Sequence, residues 1–253
     1  MLKSESTIIS YAQNAEDVVL FRALSNHETG FYIDIGAWHP VNDSVTKLFY
    51  DRGWSGINIE PQPDRCEVFK DYRPRDINLQ LAVSNHSNQI SLWVPQYSAL
   101  ATCEIELLDE RIPDYRDATE HRVQAISLGE LLEQYAKGRE IHFLKIDVEG
   151  HENTILLETS FTMYRPIVLV IEATCPHTNK PKWHEWEPRI LQSGYQFALF
   201  DGLNRFYVRE ESSEILANLS VPSNCLDGYI TQRENVLLNE LERVRYELKC
   251  LSQ

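Results

Sequence analysis

Short β-rich runs alternate with helical stretches along most of this chain. That alternation requires a largely parallel sheet covered on both faces, because parallel strands need crossover connections long enough to hold a helix. Candidate strands occupy residues 31–35, 55–60, 77–83, 90–94, 141–147 and 167–173. Two further runs, 195–200 and 205–209, flank Asp201-Gly202-Leu203-Asn204, a turn-rich loop that makes them an antiparallel hairpin. Helices are expected over 15–24, 44–52, 128–135, 152–157 and 183–193, with Asn14 capping the first and Asp43 or Ser44 the second. The fold class is α/β, doubly wound. At 253 residues the chain suits one core with an appendage. The division expected is a domain over 1–228 and a C-terminal helix over 229–253 that links, docks or forms a short coiled coil. From Thr231 onward there is no Gly or Pro, and Leu237, Leu241, Val244, Leu248 and Leu251 recur at spacings of four and three. Residues 95–122 are irregular and acidic, as a lid or substrate loop would be.

Several classes of function are excluded or disfavoured. A formal charge of −14 opposes a nucleic-acid partner, which needs clustered Lys and Arg. No apolar run approaches the roughly 18 residues of a membrane span, so no integral membrane protein is expected. Polar residues near the start, where a signal peptide would be apolar, lead to the expectation of a cytoplasmic protein. Five dispersed cysteines without a C-x-x-C pair fit reduced thiols better than zinc or disulfides.

Chemistry concentrates at strand ends. In Phe31-Tyr32-Ile33-Asp34-Ile35-Gly36-Ala37-Trp38-His39-Pro40 a buried strand ends in an acid and then small residues, so backbone can approach a ligand at the carboxyl edge of a sheet. With one glycine it is no dinucleotide fingerprint, and no G-K-S or G-K-T follows to make a P-loop. The next strand ends at Glu60, placed as a carboxylate that takes ribose hydroxyls would be. In Lys145-Ile146-Asp147-Val148-Glu149-Gly150-His151, Asp147 and Glu149 point to one side if the strand continues, and His151 opens a helix. Glu172 ends the neighbouring strand, so Asp147 and Glu172 are candidate ligands of Mg²⁺, which prefers hard oxygen donors. His177, Trp183, His184 and Trp186 form an aromatic, polar stretch that suits either a sugar face or packing.

Asp34-Ile35-Gly36-Ala37, Gly53-Trp54-Ser55-Gly56-Ile57-Asn58-Ile59-Glu60, Leu144-Lys145-Ile146-Asp147-Val148-Glu149-Gly150 and Val170-Ile171-Glu172 fall in the order seen in the FkbM family. The chain resembles that family of class I, Rossmann-like, S-adenosylmethionine-dependent methyltransferases from Tyr11 to Tyr207. The resemblance implies a mostly parallel seven-stranded sheet with the hairpin at one edge. It also implies a cofactor site in which Gly36 and Ala37 approach the methionine part, Asp34 orients its amino group, Glu60 takes the ribose, and Ala82 and Val83 take the adenine, with Gln13 and Ser44 contributing. The glycine loop departs from the looser class I pattern in having Gly36 alone. Asp147, Glu149 and His151 become the candidate catalytic residues, and Glu172, Asp201 and Asn204 the candidate acceptor-binding residues. The expected activity is O-methylation of a sugar hydroxyl in a bacterial polysaccharide or glycolipid. A macrolide or other small-molecule hydroxyl is the alternative acceptor, and a non-catalytic cofactor-binding scaffold the alternative role. The C-terminal helix is expected to support a homo-oligomer or a fused domain.

Overall fold

A computed structural model describes residues 7–86, 88–95, 100–104, 115, 117–157, 159–176 and 178–251. Strands β1 (Ile8–Ser10) and β2 (Phe31–Ile35) flank helix α1 (Glu16–Ala23). Helix α2 (Lys47–Asp51) leads to β3 (Ser55–Ile59), and α3 (Pro63–Tyr72) to β4 (Ile77–Leu79). Three strands follow, β5 (Ala82–Ser84), β6 (Gln89–Val94) and β7 (Thr119–Ser127), and then α4 (Leu128–Tyr135). Strand β8 (Phe143–Ile146), α5 (Glu152–Leu157), β9 (Val168–Glu172) and α6 (Glu187–Gln192) precede the hairpin of β10 (Tyr195–Phe200) and β11 (Asn204–Arg209). Helix α7 (Leu216–Leu219), β12 (Tyr229–Thr231) and α8 (Gln232–Leu251) complete the order.

The central sheet runs β10-β11-β9-β8-β2-β3-β4. Strands β4, β3, β2, β8 and β9 are parallel, and β11 lies antiparallel to both β9 and β10, so the seven strands expected are present in a sheet of mixed direction. Its strands are apolar on both sides because both sides are covered. Ile33, Ile57, Leu144 and Leu169 pack with Leu131 of α4, Ile155 of α5 and Ile190 of α6. Tyr32, Phe143, Val168 and Phe206 face the other way and pack with Leu20 of α1 and Phe49 of α2. This layout is compatible with a methyltransferase fold. Among the described residues no helix is long and apolar enough to cross a membrane.

The structure corrects several local expectations. The run 77–83 is two strands: β4 closes the central sheet, while β5 turns away into a separate β5-β7-β6 sheet that also takes β6. Asn14 does not cap α1; the cap position is Ala15, in the left-handed region, and the first turn is acidic instead. Neither Asp43 nor Ser44 caps α2, whose N-cap is Thr46 without a side-chain capping bond. Ser44 Oγ instead accepts from Arg73 Nη2 at 3.0 Å. Within the stretch 95–122, residues 96–99, 105–114 and 116 lie outside the described residues, and its end is the start of β7. Strand β12 pairs in parallel with β1, so the expected boundary at 228/229 falls just before a strand tied to the beginning of the chain.

Candidate active site

Gly36 sits where β2, β3 and β8 end side by side. The amides of Gly36 and Ala37 both donate to the Ile59 carbonyl at 3.1 Å, and the Asp147 amide donates to the Ile35 carbonyl at 3.0 Å. Gly36 sits at φ +79°, and a Cβ there would overlap the Asp147 carbonyl oxygen. The turn therefore brings bare backbone of two strands together, which only glycine permits. Beyond it opens a cavity of about 950 Å³, part of it continuous with solvent. Of the residues expected to hold a cofactor, Gln13, Gly36, Glu60, Ala82 and Val83 line this cavity. Asp147, Glu149 and His151 line it too. Asp34, Ala37 and Ser44 are buried behind the wall.

Glu60 is 4% exposed, and both its oxygens are fixed by backbone: Trp38 N donates to Oε2 at 3.0 Å and Gln62 N to Oε1 at 2.9 Å. Burial outweighs these donors and pushes its carboxyl up to about 7. Asp34 is fully enclosed, with the Lys145 ammonium 3.6 Å from Oδ1, an oxygen that makes no hydrogen bond among the described residues. Burial raises the Asp34 carboxyl, opposed by Lys145. Lys145 Nζ also donates to Asp147 Oδ2 at 3.0 Å. Burial disfavours the ammonium, but Asp147 and Asp34 more than offset it and keep Lys145 protonated. Lys145 thus ties the acid of β2 to the acid that follows β8, and so fixes Asp147 at the cavity wall.

Glu149 does not continue the strand. It adopts φ 50°, a left-handed conformation that costs an ordinary residue about 1–2 kcal/mol, and the Thr102 hydroxyl donates to its carbonyl at 2.8 Å. Its Oε2 is buried without a hydrogen bond among the described residues. Burial first, then Asp147 and Glu152, push this carboxyl up to about 9, which favours its protonated form, a hydrogen-bond donor. His151 is 8% exposed with both ring nitrogens engaged: Nδ1 lies 2.6 Å from Glu104 Oε1 and Nε2 3.0 Å from Ser84 Oγ. The bond to His151 holds the Glu104 carboxyl below its usual range. This clasp joins the start of α5 to β5 and to the segment after Thr102, and it engages both imidazole nitrogens.

The residues expected to bind acceptor do not reach the cavity. Asp201 Oδ1 accepts from the amides of Leu203 and Asn204 at 2.9 and 2.7 Å, as a turn residue does. Asn204 is 3% exposed and donates to Glu16 Oε1 at 2.9 Å. Glu172 faces Asn204 across the sheet, and its Oε2 is a buried oxygen with no hydrogen bond among the described residues. Burial, then Asp147, Glu152 and Glu149, raise it well above the usual range. Among the described residues no group of three or more His, Cys, Asp or Glu could hold a metal ion, which gives the candidate Mg²⁺ site at Asp147 and Glu172 no support. Trp186 is core, and Trp183 covers the Arg205 guanidinium at 3.9 Å and meets the His184 ring, which is packing chemistry; His177 lies outside the described residues.

The excess of buried acids has a thermodynamic consequence. Glu16 and Glu60 are raised to about 7, Asp17 to about 6 and Glu149 to about 9, each chiefly by burial. The folded protein therefore holds protons that the unfolded chain has released, and stability falls as pH rises from the unfolded carboxylate range through these folded values. Glu104 and Glu211, held low by His151 and Arg165, act in the opposite sense but at lower pH. Scanning calorimetry of the ligand-free protein should show Tm lower at pH 8.5 than at pH 5.5 by more than about 5 °C. A Tm that rises across that interval would show these acids to be better solvated than the fold implies.

A family model described as the methyltransferase FkbM domain matches residues 34–197. The chain belongs to the FkbM methyltransferase family. The matched span opens on Asp34 and contains Gly36, Glu60, Lys145, Asp147, Glu149 and His151, so the cavity wall at the ends of β2, β3 and β8 is family territory. Gln13, Asp201, Asn204 and α8 fall outside it. Searches of curated proteins and of solved structures find no significant match.

Proposed function

We propose that this FkbM-family methyltransferase moves the methyl group of S-adenosylmethionine to a hydroxyl of a sugar in a bacterial polysaccharide or glycolipid, leaving S-adenosylhomocysteine. The observation that carries the reading is that one cavity at the carboxyl ends of parallel strands holds Glu60 on one side of the Gly36 turn and Asp147 on the other. The residues present fit such a donor. Gly36 leaves room for close approach, and Glu60 is a fixed carboxylate for two hydroxyls. Ala82 and Val83, both buried, supply an apolar wall for a base. When bound, S-adenosylmethionine supplies an electrophilic methyl on sulfur. Asp147 then orients the acceptor hydroxyl and takes its proton as the oxygen–methyl bond forms and the sulfur–methyl bond breaks. Lys145 holds Asp147 in place, Glu149 donates from the same wall, and the Glu104–His151–Ser84 clasp fixes the floor. The glycan acceptor is supported by the family resemblance.

Two measurements test this. Incubation with S-adenosylmethionine and candidate glycans should release S-adenosylhomocysteine and add one methyl to the acceptor; donor binding without turnover on any polyol would contradict the acceptor class. In calorimetric titration, Glu60→Ala should weaken S-adenosylmethionine binding by roughly ten- to a hundredfold, since a lost hydrogen bond to a charged group is worth about 1.5–3 kcal/mol. Parental affinity in a folded Glu60→Ala protein would remove Glu60 as the ribose ligand.

A further inference from the structure

Helix α8 begins with a full capping arrangement, in which Thr231 Oγ1 accepts from Glu234 N at 3.2 Å and Glu234 Oε2 accepts from Thr231 N at 2.7 Å, yet none of its residues is buried. Leu237, Leu241, Val244, Leu248 and Leu251 are 61, 46, 41, 60 and 84% exposed. Their four-three spacing places Leu241 and Leu248 at heptad position a, and Leu237, Val244 and Leu251 at d. An apolar stripe on a formed helix that the rest of the chain leaves uncovered calls for an outside partner.

The flanking charges identify that partner. In this register Arg233, Glu240 and Glu247 occupy g and Arg245 occupies e. Arg243, at c, is already paired within the helix with Glu240 at 2.6 Å and Glu247 at 3.8 Å, whereas Arg245 has no hydrogen bond or ion pair among the described residues. In a parallel, in-register coiled coil a g residue faces the e residue five positions on in the neighbouring helix. Glu240 of one copy then meets Arg245 of the next, and symmetry repeats the pair. An antiparallel pairing sets g against g and e against e, so across the whole seam Glu240 would oppose Glu247 of the other copy while Arg245 would lie against Leu238. Leu238, also at e, widens the apolar seam on the same flank.

We propose that α8 is a self-association element that joins copies of this chain in a parallel, in-register coiled coil, with Glu240–Arg245 pairs setting the orientation. The seam spans only about two heptads, so the association is concentration-dependent. Leu241 and Leu248 at a leave the number of strands to the measured mass.

Sedimentation of the full chain between about 1 and 100 µM should show the 29.4 kDa monomer giving way to a multiple of that mass. Leu241→Asp with Leu248→Asp should leave a folded monomer at every concentration, because both side chains are exposed in the single copy. Glu240→Arg or Arg245→Glu alone should weaken association roughly tenfold, and the two together should restore it. In a background of Cys225→Ser and Cys250→Ser, Leu248→Cys should cross-link to itself under mild oxidation, as a residues of parallel helices meet. A monomer throughout, association indifferent to the α8 substitutions, or single charge reversals that tighten it would each overturn the proposal.

Discussion

Gly36→Ala is expected to lower stability by roughly 2–5 kcal/mol, the sum of left-handed strain at a residue with a Cβ and of overpacking against backbone. For a chain of this size that is a fall in Tm of roughly 4–20 °C. The added methyl would meet the carbonyl oxygen of Asp147, and backbone cannot swing aside as the end of a flexible side chain can. Either β2 and β8 separate at their ends or the Gly36 turn unwinds, and both movements pull Asp147 from the cavity wall. Donor binding should therefore fall with stability. Gly129 is the control: it lies in α4 with nothing within 4 Å of an added Cβ, so Gly129→Ala should stabilise by about 1 kcal/mol. Denaturant titrations of the two variants decide the matter, and a Gly36→Ala protein as stable as the parent would mean that the strand ends are looser than the structure shows.

The strands of the central sheet were legible because buried parallel strands are nearly unbroken apolar runs, and β2, β3 and β9 match their expected spans within a residue or two. Strand β7 was not. Its early residues Thr119, Glu120, His121 and Arg122 are exposed on both sides, so its sequence reads as a polar loop, and its pairing with β6 rests on partners about thirty residues away. Helix α3 was passed over for a similar reason, since only Cys66 and Phe69 of its ten residues are buried. The cap expected at Asn14 failed because Asp17 bonds the Ser10 hydroxyl and the Tyr11 amide, which ties the helix to the segment before it.

At the site, Gly36, Glu60 and Asp147 could be read because each sits at a strand end, where sequence position fixes spatial position. Lys145 lay inside the same motif without an assigned role. A charged residue in a buried strand was the available signal for it, and its pairing with Asp34 and Asp147 explains its presence. Glu104 had no such signal. Its partner His151 is 47 residues away, and nothing local marks an acidic residue in a loop as one half of a clasp. Asp201 and Asn204 were assigned to the acceptor through the family resemblance, and in the structure their polar groups bond within the hairpin and to Glu16.

Asp147→Asn should lower turnover by about 10²- to 10⁴-fold while leaving S-adenosylmethionine affinity within a few fold of the parent, because the carboxylate acts on the acceptor proton in the transition state. The change is nearly isosteric. An amide oxygen can still accept from Lys145, so the 3.0 Å contact and the position of the side chain survive while the charge is lost. Losing that charge also relieves Glu149, whose carboxyl Asp147 helps to raise, and the variant should titrate Glu149 at lower pH than the parent. Glu149 separates the two roles. As a group whose protonated form is favoured, it should tolerate Glu149→Gln, which keeps a donor in place, with turnover within about tenfold of the parent. His151→Ala removes the clasp, so it should loosen donor binding along with turnover. Steady-state rates at saturating donor, followed by release of S-adenosylhomocysteine, distinguish the three. If Asp147→Asn keeps near-parental turnover while Glu149→Gln loses it, proton removal belongs to Glu149 and the burial that favours its protonated form in the free protein is relieved when the acceptor binds.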